Sequence, residues 1–252
     1  MKNINQMAII AVTTGLWAGM AQATPSSTDW TPATTDIQGY RVLHIGVDDY
    51  FTVFQKGDRK GSFPTDVGLT LGVLPFDKIQ AEIGADLLEA SDDPWFFNAK
   101  IGSPEGAWFK NSPAVNVGVF NVGTQKDVTD QDVFDVLVGK TIPVLGRLFL
   151  GGYVGNGNTL VNANGDSDNT GFMVGFDRGF LPIKDKAGDE YNRVVLAGDW
   201  ASGKNAIGGG GAGVYYYFSR NVSLLTGPVW FNEPDLNCEW KWTIQLDINV
   251  PF

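Results

Sequence analysis

Few residues in this 252-residue chain are of the types that carry catalysis or bind transition metals. There is one histidine, His44, and one cysteine, Cys238. His44 and Asp48 stand four residues apart with Gly46 between them, so on a strand they share a face. A hydrolytic triad would need a serine hydroxyl on that imidazole. No serine lies beside His44 in the sequence, and it reads as an ordinary residue of a polar face. A lone cysteine in an exported chain excludes an internal disulfide framework, and Cys238 reads as an unpaired loop residue. One histidine and one cysteine also exclude the usual zinc clusters, and no metal or cofactor is expected. Gly208–Gly213, GGGGAG, formally matches G-x-G-x-x-G. The run after it, Val214-Tyr215-Tyr216-Tyr217-Phe218, reads as a strand and not as the helix that a dinucleotide fingerprint requires. The glycines read instead as a loop entering a strand where backbones approach closely. Asp166 and Asp168, in NANGDSDN, put hard oxygen ligands in a loop without completing a calcium-loop motif, and read as a solvated turn.

The charged residues that recur at every second position are more informative. His44, Asp48, Lys78, Glu82, Asp86, Lys100, Arg147, Asp177, Arg193, Asp199, Lys241 and Asp247 all fall on the polar side of an alternating pattern. Acids and bases are mixed among them. Placed together inside a fold, they need water or one another, because an unpaired buried charge is costly. The side-chain period from Tyr40 onward is two, which is the period of strands. At the C-terminus Trp240, Trp242, Ile244, Leu246, Ile248, Val250 and Phe252 alternate with Lys241, Thr243, Gln245, Asp247, Asn249 and Pro251. That stretch exceeds the usual length of a soluble strand and can cross a bilayer at a tilt. Val67 to Val73, Ile79 to Leu87, Val115 to Val119 and Phe172 to Phe176 repeat the alternation.

Composition agrees. Charged residues make up 18% of the chain and aromatics 12%, with 32 glycines and a mean hydropathy near zero. Soluble domains carry roughly 25% charged residues. The net charge of −10 gives no support to nucleic-acid binding. Lys2, the apolar run Ala8 to Met20 and Ala21-Gln22-Ala23 form a secretory leader with a cleavage site, so residues 1–23 are expected to be a signal peptide. Residues 24–39 are small, polar and proline-containing, and read as a flexible lead-in to the first strand. Residues 40–252 are expected to form one domain.

The terminal strand resembles that of bacterial outer-membrane β-barrel proteins, which commonly end in phenylalanine with apolar residues at every second position before it. The residues that carry the resemblance are Leu246, Ile248, Val250 and Phe252. Pro251 departs from the pattern, since proline cannot donate to a strand ladder. The resemblance implies a Gram-negative outer-membrane location, a lipid bilayer around the barrel, and recognition of the last strand by the barrel-assembly machinery. The expected fold is all-β: an antiparallel transmembrane barrel of about twelve strands with periplasmic termini. The expected strands are 40–54, 64–74, 77–88, 94–102, 113–122, 132–142, 145–155, 169–178, 191–200, 211–219, 222–232 and 239–252. Gly102–Ser112 and Gly179–Glu190 are expected as long connections on the otherwise short-turn, periplasmic side. Aromatics near strand ends (Trp95, Phe96 and Phe97; Tyr215, Tyr216, Tyr217 and Phe218; Trp230 and Phe231; Trp240 and Trp242; Phe252) are expected at the headgroup layers. No enzyme is expected: the outer-membrane phospholipase family also has about twelve strands, but the serine it would need beside His44 is missing. The expected function is a small porin-like channel for passive solute diffusion, with the charged residues named above lining its lumen. The alternative is a non-transporting barrel that holds a periplasmic or surface partner.

Overall fold

The computed structural model describes residues 29–53, 63–238 and 240–252. The expected leader over 1–23 lies outside the described residues. The alternating segments form twelve strands: β1 Val42–Phe51, β2 Thr65–Gly72, β3 Gln80–Glu89, β4 Trp95–Ser103, β5 Ala114–Gly123, β6 Val133–Ile142, β7 Gly146–Val154, β8 Thr170–Lys184, β9 Glu190–Ala201, β10 Gly209–Ser219, β11 Val222–Phe231 and β12 Lys241–Pro251. Each pairs antiparallel with its sequence neighbour, and β1 pairs with β12 to close the barrel. A four-residue helical turn, α1 Pro234–Asn237, lies before β12.

The closing seam runs from Val42↔Pro251 to Phe51↔Trp242. Pro251 sits where a missing donor costs little. One residue on, the Phe252 amide donates to the Arg41 carbonyl at 3.1 Å, and the Arg41 guanidinium lies 5.4 Å from the Phe252 ring centroid.

Alternation sets the two surfaces. In β12, Lys241, Thr243, Gln245, Asp247 and Asn249 are buried, while Ile244 and Val250 are exposed. In β6, Phe134, Val136 and Val138 are exposed at 58%, 52% and 44%, and Val133, Asp135 and Leu137 are buried. The barrel is thus apolar outside and carries buried charge inside. Water would not stabilise that outer surface; lipid does, and a closed barrel is the β-structure that satisfies its backbone there. Trp95, Phe97 and Trp230 point outward near one rim, and Phe218 and Phe252 near the other. Tyr215, Tyr217 and Phe231 are buried instead, so the aromatic clusters divide between the two faces.

The rims differ. Where β1 starts and β12 ends, the connections are 73–79, 104–113, 143–145, 185–189 and 220–221. The opposite rim carries 90–94, 124–132, 155–169 and 202–208, together with the described ends of the connections that follow β1 and β11 (52–53, 63–64, 232–238 and 240). One expected long connection on the short-turn side is corrected. Gly179–Glu190 is mostly strand: β8 continues to Lys184 and β9 begins at Glu190, paired through Phe180↔Val194, Pro182↔Asn192 and Lys184↔Glu190. Leu181, at φ 55°, and Pro182 interrupt the alternation that would have revealed it. β8 leaves β7 after Asp177 and β9 leaves β10 below Val194, so beyond Phe180 and Val194 the two strands pair only with each other and project past the rim as a hairpin.

A second correction concerns residues 24–39. The described part, 29–39, is packed inside the barrel. From the start of β1 the chain runs back up the lumen, so that Asp29 lies against Tyr50, Asp199 and Gln245 near the long-loop rim. Eleven residues reach up to about 36 Å when extended, enough for that path. Inward-facing glycines make the room. A Cβ at Gly175 would collide with the Ala33 carbonyl, and one at Gly211 would lie 2.6 Å from the Asp29 Cβ. The close backbone approach expected at Gly208–Gly213 is met at Gly208, Gly209 and Gly210 by the carbonyls of Gly203, Trp230 and Asp199, while Gly211 and Gly213 make room for the Asp29 side chain.

Leu246 lies at the middle of β12 on the outward face. Leu246→Arg is expected to cost roughly 2–4 kcal/mol, as for a cation near the bilayer midplane, whereas Leu181→Arg on the projecting hairpin should cost about 0–1 kcal/mol. Urea titration of both variants folded into vesicles checks the ordering; equal costs would place the apolar band elsewhere.

Candidate functional site

The inner segment divides the lumen into two unlike halves. Along β5 to β10 it is fastened tightly. Asp199, 4% exposed, accepts the backbone N–H groups of Asp29 (2.5 Å), Trp30 (3.0 Å) and Thr31 (3.1 Å). Lower down, Arg147 grips two carboxylates at once. It donates to Asp36 at 2.5 and 2.7 Å and to Asp177 at 2.9 and 2.5 Å. Such forked guanidinium–carboxylate pairs fix geometry as well as charge. Asn116 donates to the Thr34 carbonyl at 2.9 Å. Around Ala33 the half is apolar: Phe120, Leu137, Tyr153 and Met173 from the wall meet Leu160 and Ile207 from the long-rim loops.

Toward the short-turn rim the segment crosses to β2 and β3. The Gln38 amide donates to Glu82 at 2.6 Å. Lys100 lies 3.8 Å from Glu82 and donates to the Asp36 carbonyl at 3.3 Å. A Cβ at Gly72 would run into the Gly39 carbonyl.

Above that crossing, on the β1 to β5 side, a cavity of about 340 Å³ remains. Its strand wall carries Asp48, Asp66 and Asp86 with His44, Thr70 and Asn98. Asp48 and Asp66 are direct partners across β1 and β2. Asp86 opposes Gly68 on one side and Phe96 on the other. Its Oδ2 accepts from Asn98 at 2.9 Å. The facing wall is formed by Trp30, Thr31 and Pro32 of the inner segment with Phe120, Met173 and Ile207. Trp30 is held there by its indole N–H, which donates to the Ile207 carbonyl at 3.0 Å, and by edge contacts with Tyr50 and Phe231. No lysine or arginine of the described residues lines this cavity.

The charged residues expected in the lumen fall into four groups. His44, Asp48 and Asp86 line the cavity. Glu82, Lys100, Arg147, Asp177 and Asp199 hold the inner segment. Lys241 and Asp247 are buried against other wall residues: Lys241 donates to Thr52 at 3.1 Å, and Asp247 accepts from Ser223 at 3.1 Å. The remaining two are corrections. Lys78 sits exposed in the 73–79 connection with its ammonium 5.7 Å from the Trp108 ring, because β3 starts two residues later. Arg193 donates to the hydroxyl of the outward-facing Tyr216 at 3.3 Å, in the stretch where β9 has left β10. Asp66, Asp135 and the inner segment's Asp29 and Asp36 were not anticipated. Asp66 shares its face with Gly68 and Thr70, so the same alternation that names Asp48 and Asp86 names it.

His44 lacks a nucleophile. Its Nδ1 is 3.1 Å from Asn249 Oδ1, and its Nε2 is 3.5 Å from Asp247 Oδ1 without a hydrogen bond. The nearby serine, Ser223, donates to Asp247 and not to the imidazole. The outward Leu246, Ile248, Val250 and Phe252 take no part in the lumen.

No family model matches the chain. No curated protein matches it either. Among solved structures, the NanC porin aligns with a TM-score of 0.49 at 6% identity, over 82% of this chain and 100% of that one. A structure from work on in-meso crystallization of membrane proteins aligns at 0.48 and 11%, over 83% and 84%. An engineered variant of the Rh. blastica porin aligns at 0.41 and 10%, over 73% of this chain and 55% of that one, so this chain spans about half of that porin's length.

The Arg147 grip gives a test of the inner segment. Arg147→Met leaves Asp36 and Asp177 facing each other without a cation, which in a partly solvated lumen should cost about 2 kcal/mol of docking. Subtilisin cleavage within residues 29–39, mapped by mass spectrometry, should accelerate by more than about tenfold while the barrel keeps its heat-modifiable migration. Unchanged cleavage would mean that this grip does not hold the segment.

Proposed function

We propose that the protein is a small porin-like channel of the Gram-negative outer membrane for passive movement of small solutes, leaning toward cations, with residues 29–39 as its constriction. The observation that carries the reading is the one-sided lumen. One half is filled by the inner segment, and the other is a cavity whose charged groups, among the described residues, are Asp48, Asp66 and Asp86. A lining of carboxylates favours cation passage, as acidic rings do in other pores. The outer-membrane location is supported by the leader pattern of residues 1–23 and by the terminal strand. Leu246, Ile248, Val250 and Phe252 are proposed as the signal read by the barrel-assembly machinery. The lumen in this reading is a pathway and not an active site.

The density of contacts on the inner segment favours a second reading, a sealed barrel that holds a partner at its surface. The two readings differ in one measurement. Single-channel recording of the refolded protein in a KCl gradient is expected to show small openings with a reversal potential on the cation side. Asp48→Asn, Asp66→Asn and Asp86→Asn combined should move that potential toward zero, and deletion of residues 24–39 should raise the conductance several-fold. A silent barrel that conducts only after the deletion would support the sealed reading.

A further inference from the structure

We propose that the cavity on the long-loop side of the lumen is a binding site for a small organic cation: an ammonium or guanidinium head carrying a short apolar or aromatic body. The proposal deepens the channel reading, on which it rests, by naming the class of solute.

The argument starts from the acidic wall. Asp48 and Asp66 are directly opposed on neighbouring strands, with Asp86 diagonal to Asp66. Like charges in direct cross-strand register repel. Among the described residues, the lumen's cations are engaged elsewhere: Lys100 with Glu82 and the Asp36 carbonyl, Arg147 with Asp36 and Asp177, and Lys241 with the Thr52 hydroxyl and the Phe63 ring. Asp66 Oδ1 is buried without a hydrogen-bond partner. At the cavity floor His44, 2% exposed, turns its Nε2 over Gly46, again without a hydrogen bond. A carboxylate oxygen without a donor is what an ammonium satisfies, because it brings three N–H groups and no acceptor.

The opposite wall decides what the cation must carry. Trp30, Pro32, Phe63, Phe120, Met173 and Ile207 present rings and apolar surface to the same space. Aromatic faces attract a cation and bury its hydrocarbon. The volume, about 340 Å³, falls in the range of small-molecule pockets, roughly 300–1,000 Å³. A bare metal ion would leave the apolar wall unused, and among the described residues no three His, Cys, Asp or Glu groups converge to ligate one. An anion would meet three carboxylates. A neutral hydrocarbon would strip them of water and return nothing. A cation with an apolar body uses both walls.

The test is calorimetric titration of the full refolded barrel in detergent, where binding needs no transport. Benzylammonium is the probe, with methylammonium, benzyl alcohol and benzoate as comparisons. Benzylammonium is expected to bind at least about tenfold more tightly than any of the three. Asp66→Asn combined with Asp86→Asn should lower its affinity by about tenfold and leave heat-modifiable migration unchanged. Equal affinity for benzylammonium and methylammonium, equal affinity for benzylammonium and benzyl alcohol, or no heat with benzylammonium would overturn the proposal. These rankings are read on the wild-type chain and stand even if the double variant fails to fold. Cation-selective current without the ranking would sink this inference alone. The ranking without current would sink the channel reading and leave the site.

Discussion

A sheet surrounded by lipid has nowhere to put an unpaired backbone group, and closure of β1 onto β12 is what removes the last of them. The rest of this structure follows from that constraint. Once the strands are tied in a ring, alternation sends every second side chain to lipid and the others to a confined interior. The apolar residues go outward, and the interior inherits the charges. Lys241, at 0% exposure, shows how complete the inversion is: in a soluble protein a lysine so enclosed would be exceptional.

Interior charge has to be balanced inside the ring. The chain does so with its own N-terminal segment, which brings Asp36 to Arg147 and backbone N–H groups to Asp199 and Glu82. Both kinds of partner matter. A carboxylate that accepts two or three backbone amides is stabilised without a counter-ion, so Asp199 can sit against Asp29 with no arginine of the described residues beside it. Arg147 works the other way, one cation shared by two acids from different parts of the chain. The balance is local. It is reached along β5 to β10 and at the crossing to β3, and it stops at the cavity, where three acids face rings.

The outward face was the legible part of the sequence. A period of two over Leu246, Ile248, Val250 and Phe252 needs no tertiary information, and the twelve strands follow from repeating the same reading. Where local pattern failed, a specific residue broke it. Pro182 and the left-handed Leu181 hide the extension of β8, and β3 begins too late to carry Lys78 inward. The inner segment was illegible for a different reason. Its small polar residues are those of a loop, and nothing in 29–39 alternates. Its partners lie 44 to 170 residues away, from Glu82 to Asp199, and a sequence does not show which of its charges will meet. The one trace is on the wall: Gly139, Gly175, Gly211 and Gly213 occupy inward positions where a side chain would otherwise fill the lumen.

The same division explains how a narrow barrel could discriminate at all. An empty ring of polar residues selects by width and average charge. Here the inner segment occupies one side of the lumen and supplies a wall of its own, so that Trp30 and Pro32 line the same cavity as Asp48 and Asp66. Two surfaces of opposite character at ligand distance recognise shape and charge together, which a ring of one character cannot do. In the proposed channel the segment is both obstruction and specificity element, and the two roles cannot be separated by moving it: releasing the segment would widen the path and dismantle the aromatic wall in one event. Selectivity in that reading belongs to the docked state, and a solute that depends on Trp30 passes while the segment stays in place.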